Sequence, residues 1–132
     1  MADGVSSVRY LLANDSGLTA QVPAARIMAG ALPQGIALPA VSVMMVSSTR
    51  PQHVAGASGM VRERVQVTVI AGTYPSQKAV LALVRAALPR SRGTVNGCAV
   101  DSILPDVEGP DFSDPDAGLY IGSLDYVVTY TE

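Results

Sequence analysis

Tryptophan is missing from this 132-residue chain, and phenylalanine, histidine and cysteine occur once each. With so few aromatic faces there is little to stack on nucleic-acid bases. A lone cysteine, Cys98, forms no internal disulfide and reads as a reduced thiol of a protein made in a cytoplasm. One histidine and one cysteine do not make a zinc site. There is no glycine-rich strand-to-helix turn followed by lysine to cradle a phosphate, and no serine stands in the Gly-x-Ser-x-Gly frame of a nucleophile elbow. The longest apolar run, Ala37 to Val46, is interrupted by Pro39 and Ser42 and is too short to cross a bilayer. The start, Met1-Ala2-Asp3-Gly4, lacks the basic-then-apolar layout of a secretory signal. No cofactor, no metal and no membrane partner are therefore expected.

What is present is apolar. Hydrophobic residues make up 48% of the chain and charged ones 15%, enough to bury a core without staples in one domain spanning residues 1–132. So few charges on so small a domain hint at surface hidden in an oligomer. The net charge of −2 hides a division: all nine basic residues and only three acidic ones precede Gly93, whereas eight acidic and no basic residues follow Arg92. Three readings are open: pairing within one subunit, attraction between neighbouring subunits, or a surface that meets DNA.

Periodicity places the elements. Val5 to Ala13 reads as a helix with Val5, Val8, Leu11 and Leu12 on one side and Ser6 or Ser7 in its first turn, and Leu18 to Val22 as one more helical turn. Arg26 to Ala29 is a short strand. Val41 to Ser47 is a strand apolar on both faces, hence central in a sheet or covered by a partner. Thr49 to Gly59 is a polar loop, long for a hairpin connection. Met60 to Ala71 alternates cleanly, Val61, Val65, Val67 and Val69 against Arg62, Arg64, Gln66 and Thr68, with Glu63 interrupting the apolar face and placing that end at the rim. Pro75 to Leu88 is a helix with Thr73 as cap and Val80, Leu81, Val84, Ala87 and Leu88 as its buried stripe, while Gln77, Lys78 and Arg85 face water and Pro89 stops it. Asn96-Gly97 marks a tight hairpin. Ala99 to Leu104 is a strand, Asp106 to Asp116 an acidic loop and Gly118 to Thr131 a long closing strand. The sum is an α+β domain: a mainly antiparallel four- to five-stranded sheet flanked by two helices.

Candidate chemistry is thin. His53 lies in the polar loop and reads as a surface residue. Cys98 has no basic neighbour in sequence and reads as a buried, inert thiol. Asp111, Asp114, Asp116 and Gly118, with Asp125 eleven residues after Asp114, bear a faint likeness to a calcium loop. Pro115 and the lack of flanking helices argue against one, leaving a solvated loop of hydrogen-bonded turns. Arg50, Arg62, Arg64, Arg90 and Arg92 could contribute a basic surface. Without interleaved aromatics it is a weak nucleic-acid footprint, and Arg62 and Arg64 read as a solvated strand face or as partners of Asp125 or Glu132, should those strands be neighbours.

The order of local signals is more informative than any one residue. Leu11-Leu12-Ala13 with Leu18-Thr19, then Arg26-Ile27, Pro33-Gln34-Gly35 and Leu38-Pro39, then Val65-Gln66-Val67, Tyr74, Ala79, Val84-Arg85 and Ala87-Leu88, and last Gly118-Leu119-Tyr120 through Ser123-Leu124-Asp125-Tyr126 cover most of the chain. In that order and spacing they resemble the tail-completion, or tail-terminator, family of tailed bacteriophages and related gene-transfer particles. Ala40 departs from the pattern, since an aromatic often follows the proline there. The resemblance implies a non-enzymatic virion protein of the tail and neck junction, made in the host cytoplasm. It implies a ring of six copies that stops tube growth and meets the tail tube protein on one side and a neck or connector protein on the other, with DNA passing through its lumen without specific binding. Arg50, Gln52 and His53 of the polar loop, Arg62 and Arg64 of the strand face, and Asp111, Asp114 and Asp116 of the acidic loop are the expected interaction residues. The alternatives are another head-tail connector component, such as a head-completion or stopper protein, and a small α+β ligand-binding domain or enzyme.

Overall fold

The alternation along the Met60–Ala71 segment is obeyed residue by residue in the computed structural model, and the fold is built around that strand. The structure describes residues 3–53, 56–57, 59–88 and 93–132, and for residues 52, 53, 56 and 57 only the backbone. In chain order the elements are α1 (Gly4–Ala13), α2 (Ser16–Thr19), one 3-10 turn (Ala24–Arg26), β1 (Ile27–Ala29), β2 (Ala40–Thr49), β3 (Gln52–His53), β4 (Gly56–Ala57), β5 (Met60–Ala71), α3 (Tyr74–Ala87), β6 (Gly93–Val95), β7 (Cys98–Glu108), β8 (Phe112–Asp114) and β9 (Leu119–Thr131). Pro89, the expected helix stop, lies outside the described residues.

The main sheet has seven strands in the order β1-β2-β5-β9-β7-β6, with β8 pairing with β9 beyond the end of β7. Every pairing is antiparallel except β1 with β2. β5 and β9 pair along their whole length, from Met60 opposite Thr131 to Ala71 opposite Tyr120. The α+β class stands, but among the described residues the sheet is larger than the four to five strands expected and there are three helices, not two. The short strand expected at Arg26 to Ala29 is β1 and the extra helical turn expected at Leu18 to Val22 is α2, shifted to Ser16–Thr19; the additions to the sheet are β6 and β8, each three residues long. Segments of that length carry too few positions for periodicity to declare them.

Local chemistry sets the helix ends. The Asp3 side chain accepts from the Ser6 backbone N–H at 2.8 Å while the Ser6 hydroxyl accepts from the Asp3 N–H at 3.0 Å, a reciprocal cap that starts α1. Thr73 caps α3 as expected, accepting from the Ser76 N–H at 3.2 Å. Asn96 and Gly97 have φ of 48° and 81°, the left-handed pair that a two-residue hairpin requires.

The helices cover one face of the sheet. Val8 and Leu12 of α1, Leu18 of α2 and Val80, Leu81 and Val84 of α3 join Val61, Val65, Val67 and Val69 of β5 and Leu124, Tyr126, Val128 and Tyr130 of β9 in one core. Each large apolar side chain buried there contributes about 1.5–3 kcal/mol. Gly122 lets α3 approach: a Cβ at that position would lie 2.7 Å from Gln77 Nε2 and 2.8 Å from Leu81 Cδ1. Gln77, expected to face water, is accordingly fully buried against β9. Glu63, expected at the rim, is also buried, at 3% exposure, because the N-terminus of α1 sits on its carboxylate.

Candidate interaction surfaces

The face of the sheet that no helix covers carries the polar half of β5. Arg64 is its centre. It pairs with Asp106 of β7 and, at 3.5 Å, with Asp125 of β9, whose other oxygen accepts from Gln66 Nε2 at 3.2 Å. The expectation that Arg64 pairs with Asp125 across neighbouring strands therefore holds, whereas Glu132 is taken by Arg50 at 3.1 Å. Arg62 makes no ion pair among the described residues. It lines a shallow groove of about 690 Å³ on this face, with Asp101, Ser102, Leu104, Asp106 and Val127 among the other walls.

The acidic stretch is more ordered than a loop. β7 continues to Glu108 and β8 occupies Phe112–Asp114, so only short connections separate them from β9. Asp111 is held by α3: it accepts from the Tyr74 hydroxyl at 2.7 Å, from Lys78 Nζ at 2.9 Å and from Gln77 Nε2 at 3.5 Å. The Tyr74 and Lys78 hydrogen bonds hold its carboxyl below the usual aspartate range and, reciprocally, Asp111 raises the Lys78 ammonium. Asp114 closes a turn by accepting from the Ala117 N–H at 3.3 Å. Asp114 and Asp116 are exposed and make no ion pair among the described residues. Nor do three or more acidic, histidine or cysteine side chains gather there as metal ligands among the described residues.

The polar loop between β2 and β5 contains a two-residue ladder, β3 with β4, in which Gln52 pairs with Ala57 and His53 with Gly56. The side chains of Gln52 and His53 lie outside what is described, as do Val54, Ala55 and Ser58 and, elsewhere, Arg90 and Arg92. The structure thus brings Arg62 and Arg64 together on the open face, sets Asp111 on α3 and leaves Asp114 and Asp116 in the turn after β8. Among the described residues, Arg50, Arg62, Arg64, Asp111, Asp114 and Asp116 are not gathered into one site.

The division of charge along the sequence is resolved largely within the subunit. Arg50–Glu132, Arg64–Asp106, Arg64–Asp125, Lys78–Asp111 and Arg85–Glu108 each join a cation from before Gly93 to a carboxylate after it. Of the three readings left open, pairing within one chain accounts for four of the cations.

Sequence reasoning missed Glu63. Its carboxylate accepts from the Val5 N–H at 2.9 Å and from the Tyr130 hydroxyl at 3.1 Å, and Gly4 leaves it room: a Cβ there would lie 2.5 Å from its Oε2. Burial raises its pKa, opposed by these hydrogen bonds, and burial together with the Glu63 charge raises that of Tyr130. The signal was in the sequence as a charge on an otherwise valine face. Only the docking of α1, fifty-eight residues away, reveals its partner.

A sequence model of the family described as "Tail completion protein gp17" matches residues 6–131. Among solved structures, a chain of the "Virion of native gene transfer agent (GTA) particle" superposes with a TM-score of 0.72 at 17% identity, covering 98% of this chain and 95% of that one. At that identity the likeness is one of fold. No curated protein sequence matches. No helix among the described residues is long and apolar enough to cross a membrane.

Proposed function

The chain belongs to the tail completion family, and from that membership we propose that it is a structural, non-enzymatic virion protein that completes a phage-type tail. In this reading residues 1–132 act as one unit and six copies form a ring on the head-proximal end of the tail tube. The ring ends tube growth and offers its other side to the neck. The observation that carries the proposal is the family match over residues 6–131, and the fold shared with a chain of a gene-transfer-agent virion supports it.

The mechanism is geometric. A ring whose one side matches the last tube ring, and whose other side does not match a tube subunit, halts addition without any reaction. Arg50, Gln52 and His53 stand in the connection between β2 and β5 and are assigned to contact with an adjoining ring. Arg62 and Arg64 lie on the open face, where Arg64 is already engaged by two carboxylates, so Arg62 is the better candidate for an outside partner. Because Asp111 is tied to α3, the repulsion that would keep passing DNA from adhering falls to Asp114 and Asp116.

Electron microscopy of particles made without the protein tests the proposal. Overlong tails, or tails without heads, are expected. Particles with normal tails of normal length would overturn it.

A further inference from the structure

The two sides of the main sheet are each half covered, and the bare halves stand at the same height. On one side β1 pairs with β2 only as far as Val43, leaving the edge of β2 from Met44 to Thr49 unpaired among the described residues. On the other side β6 pairs with β7 only at Cys98, Ala99 and Val100, leaving the edge of β7 from Asp101 onward unpaired among the described residues. The heights follow from register: Ser47 pairs with Arg64, Arg64 with Val127 and Val127 with Leu104.

Both bare stretches expose large apolar side chains. Met44, Met45 and Val46 are 47, 53 and 52% exposed, and Leu104 and Val107 are 41 and 51% exposed. A strand apolar on both faces was expected to be central or covered. The first half of β2 is, and its second half is an edge left uncovered among the described residues. Unpaired edges bearing apolar side chains are templates for another strand.

We propose that the occupant is a second copy of this chain, joined head to tail: the bare edge of β2 in one copy pairs with the bare edge of β7 in the next. This rests on the ring reading given above and names its junction. Strand direction fits. β2, β5, β9 and β7 alternate in direction, so β2 and β7 run oppositely, and a copy that continues the sheet sideways meets its neighbour in an antiparallel ladder. Two different surfaces meet, so the contact is heterologous, the kind that closes into a ring when the rotation allows. The irregularity at Val46 between Met45 and Ser47, and Pro105 in β7, keep the ladder short and discourage pairing with arbitrary strands.

Cysteine cross-linking of the purified full chain tests the junction. In a Cys98→Ala background, Leu104→Cys is combined in turn with Met44→Cys, Ser47→Cys and Thr49→Cys, which share the open face and span a register step each way. Thermal unfolding confirms that each variant folds. Under mild oxidation at least one double variant is expected to give covalent multiples of the 13.6 kDa chain beyond the dimer, and the single variants are not. Absence of multiples from all three, or dimers from Leu104→Cys alone in equal yield, would overturn the junction. A ladder with normal tails in particles lacking the protein would sink the tail-completion reading and leave the interface standing. The reverse pair of results would sink the interface alone.

Discussion

One strand, β5, serves two faces that obey different rules. Towards the helices it sends Val61, Val65, Val67 and Val69, all fully buried, and a single buried carboxylate, Glu63, with partners on α1 and β9. Away from them it sends Arg62, Arg64, Gln66 and Thr68, of which Arg64 and Gln66 engage Asp106 and Asp125. Removal of apolar area from water rewards the first face strongly, while partly exposed ion pairs on the second contribute at most about 1 kcal/mol each. The covered face therefore holds the fold, and the open face and bare edges can change without unfolding it. The proposed role, joining two surfaces, would need that separation.

Substitutions can break or sharpen this contrast. The largest effect is expected from Leu81→Ala on the covered face: the side chain is buried between α3 and the sheet near Gly122, and denaturant unfolding should show a loss of about 2–5 kcal/mol. A loss below that of the open-face variants would abolish the distinction.

Glu63→Ala comes next, because it strands the part-buried Val5 N–H and the buried Tyr130 hydroxyl, at about 1–3 kcal/mol. Glu63→Gln keeps an acceptor and should cost less. Since the folded-state pKa of Glu63 is raised, its protonation favours the fold. Its contribution is fully present below the ordinary glutamate value and is lost as pH rises through the raised one. The stability difference between wild type and Glu63→Gln should therefore shift against the wild type from mildly acidic to neutral pH. An unchanging difference would remove the buried carboxylate from the account.

On the open face Arg64→Ala loses two ion pairs and should cost no more than about 1 kcal/mol per pair, with a thermal midpoint that responds weakly to salt. The smallest effect is expected for Asp114→Asn combined with Asp116→Asn, within about 0.5 kcal/mol by the same measurement. If that pair nevertheless impairs DNA ejection from assembled particles, the acidic turn acts on a partner and not on the fold. Normal ejection removes its assigned role.

Much of this molecule was written in local pattern. Periods of two and of 3.6 located β5, β9, α1 and α3. Thr73 announced a helix start, Asn96-Gly97 a hairpin, and the order of short signals across the chain its family. These are properties of neighbours in sequence, which is why they can be read without a structure. Register, burial of exceptions and coverage of edges depend on residues far apart. Gln77 looked solvent-facing until Gly122 let β9 close over it, and Glu63 looked like a rim residue until α1 docked on it. The charge imbalance left three readings open until five ion pairs joined one half to the other within the chain. The apolar second half of β2 read as central or covered by a partner until the pairing with β1 proved to stop at Val43. The sequence by itself determined the longer elements and the kind of protein. Only the tertiary structure decided which polar groups are buried and which strand edges are left bare, because both depend on what lies across the sheet and not on what lies next along the chain.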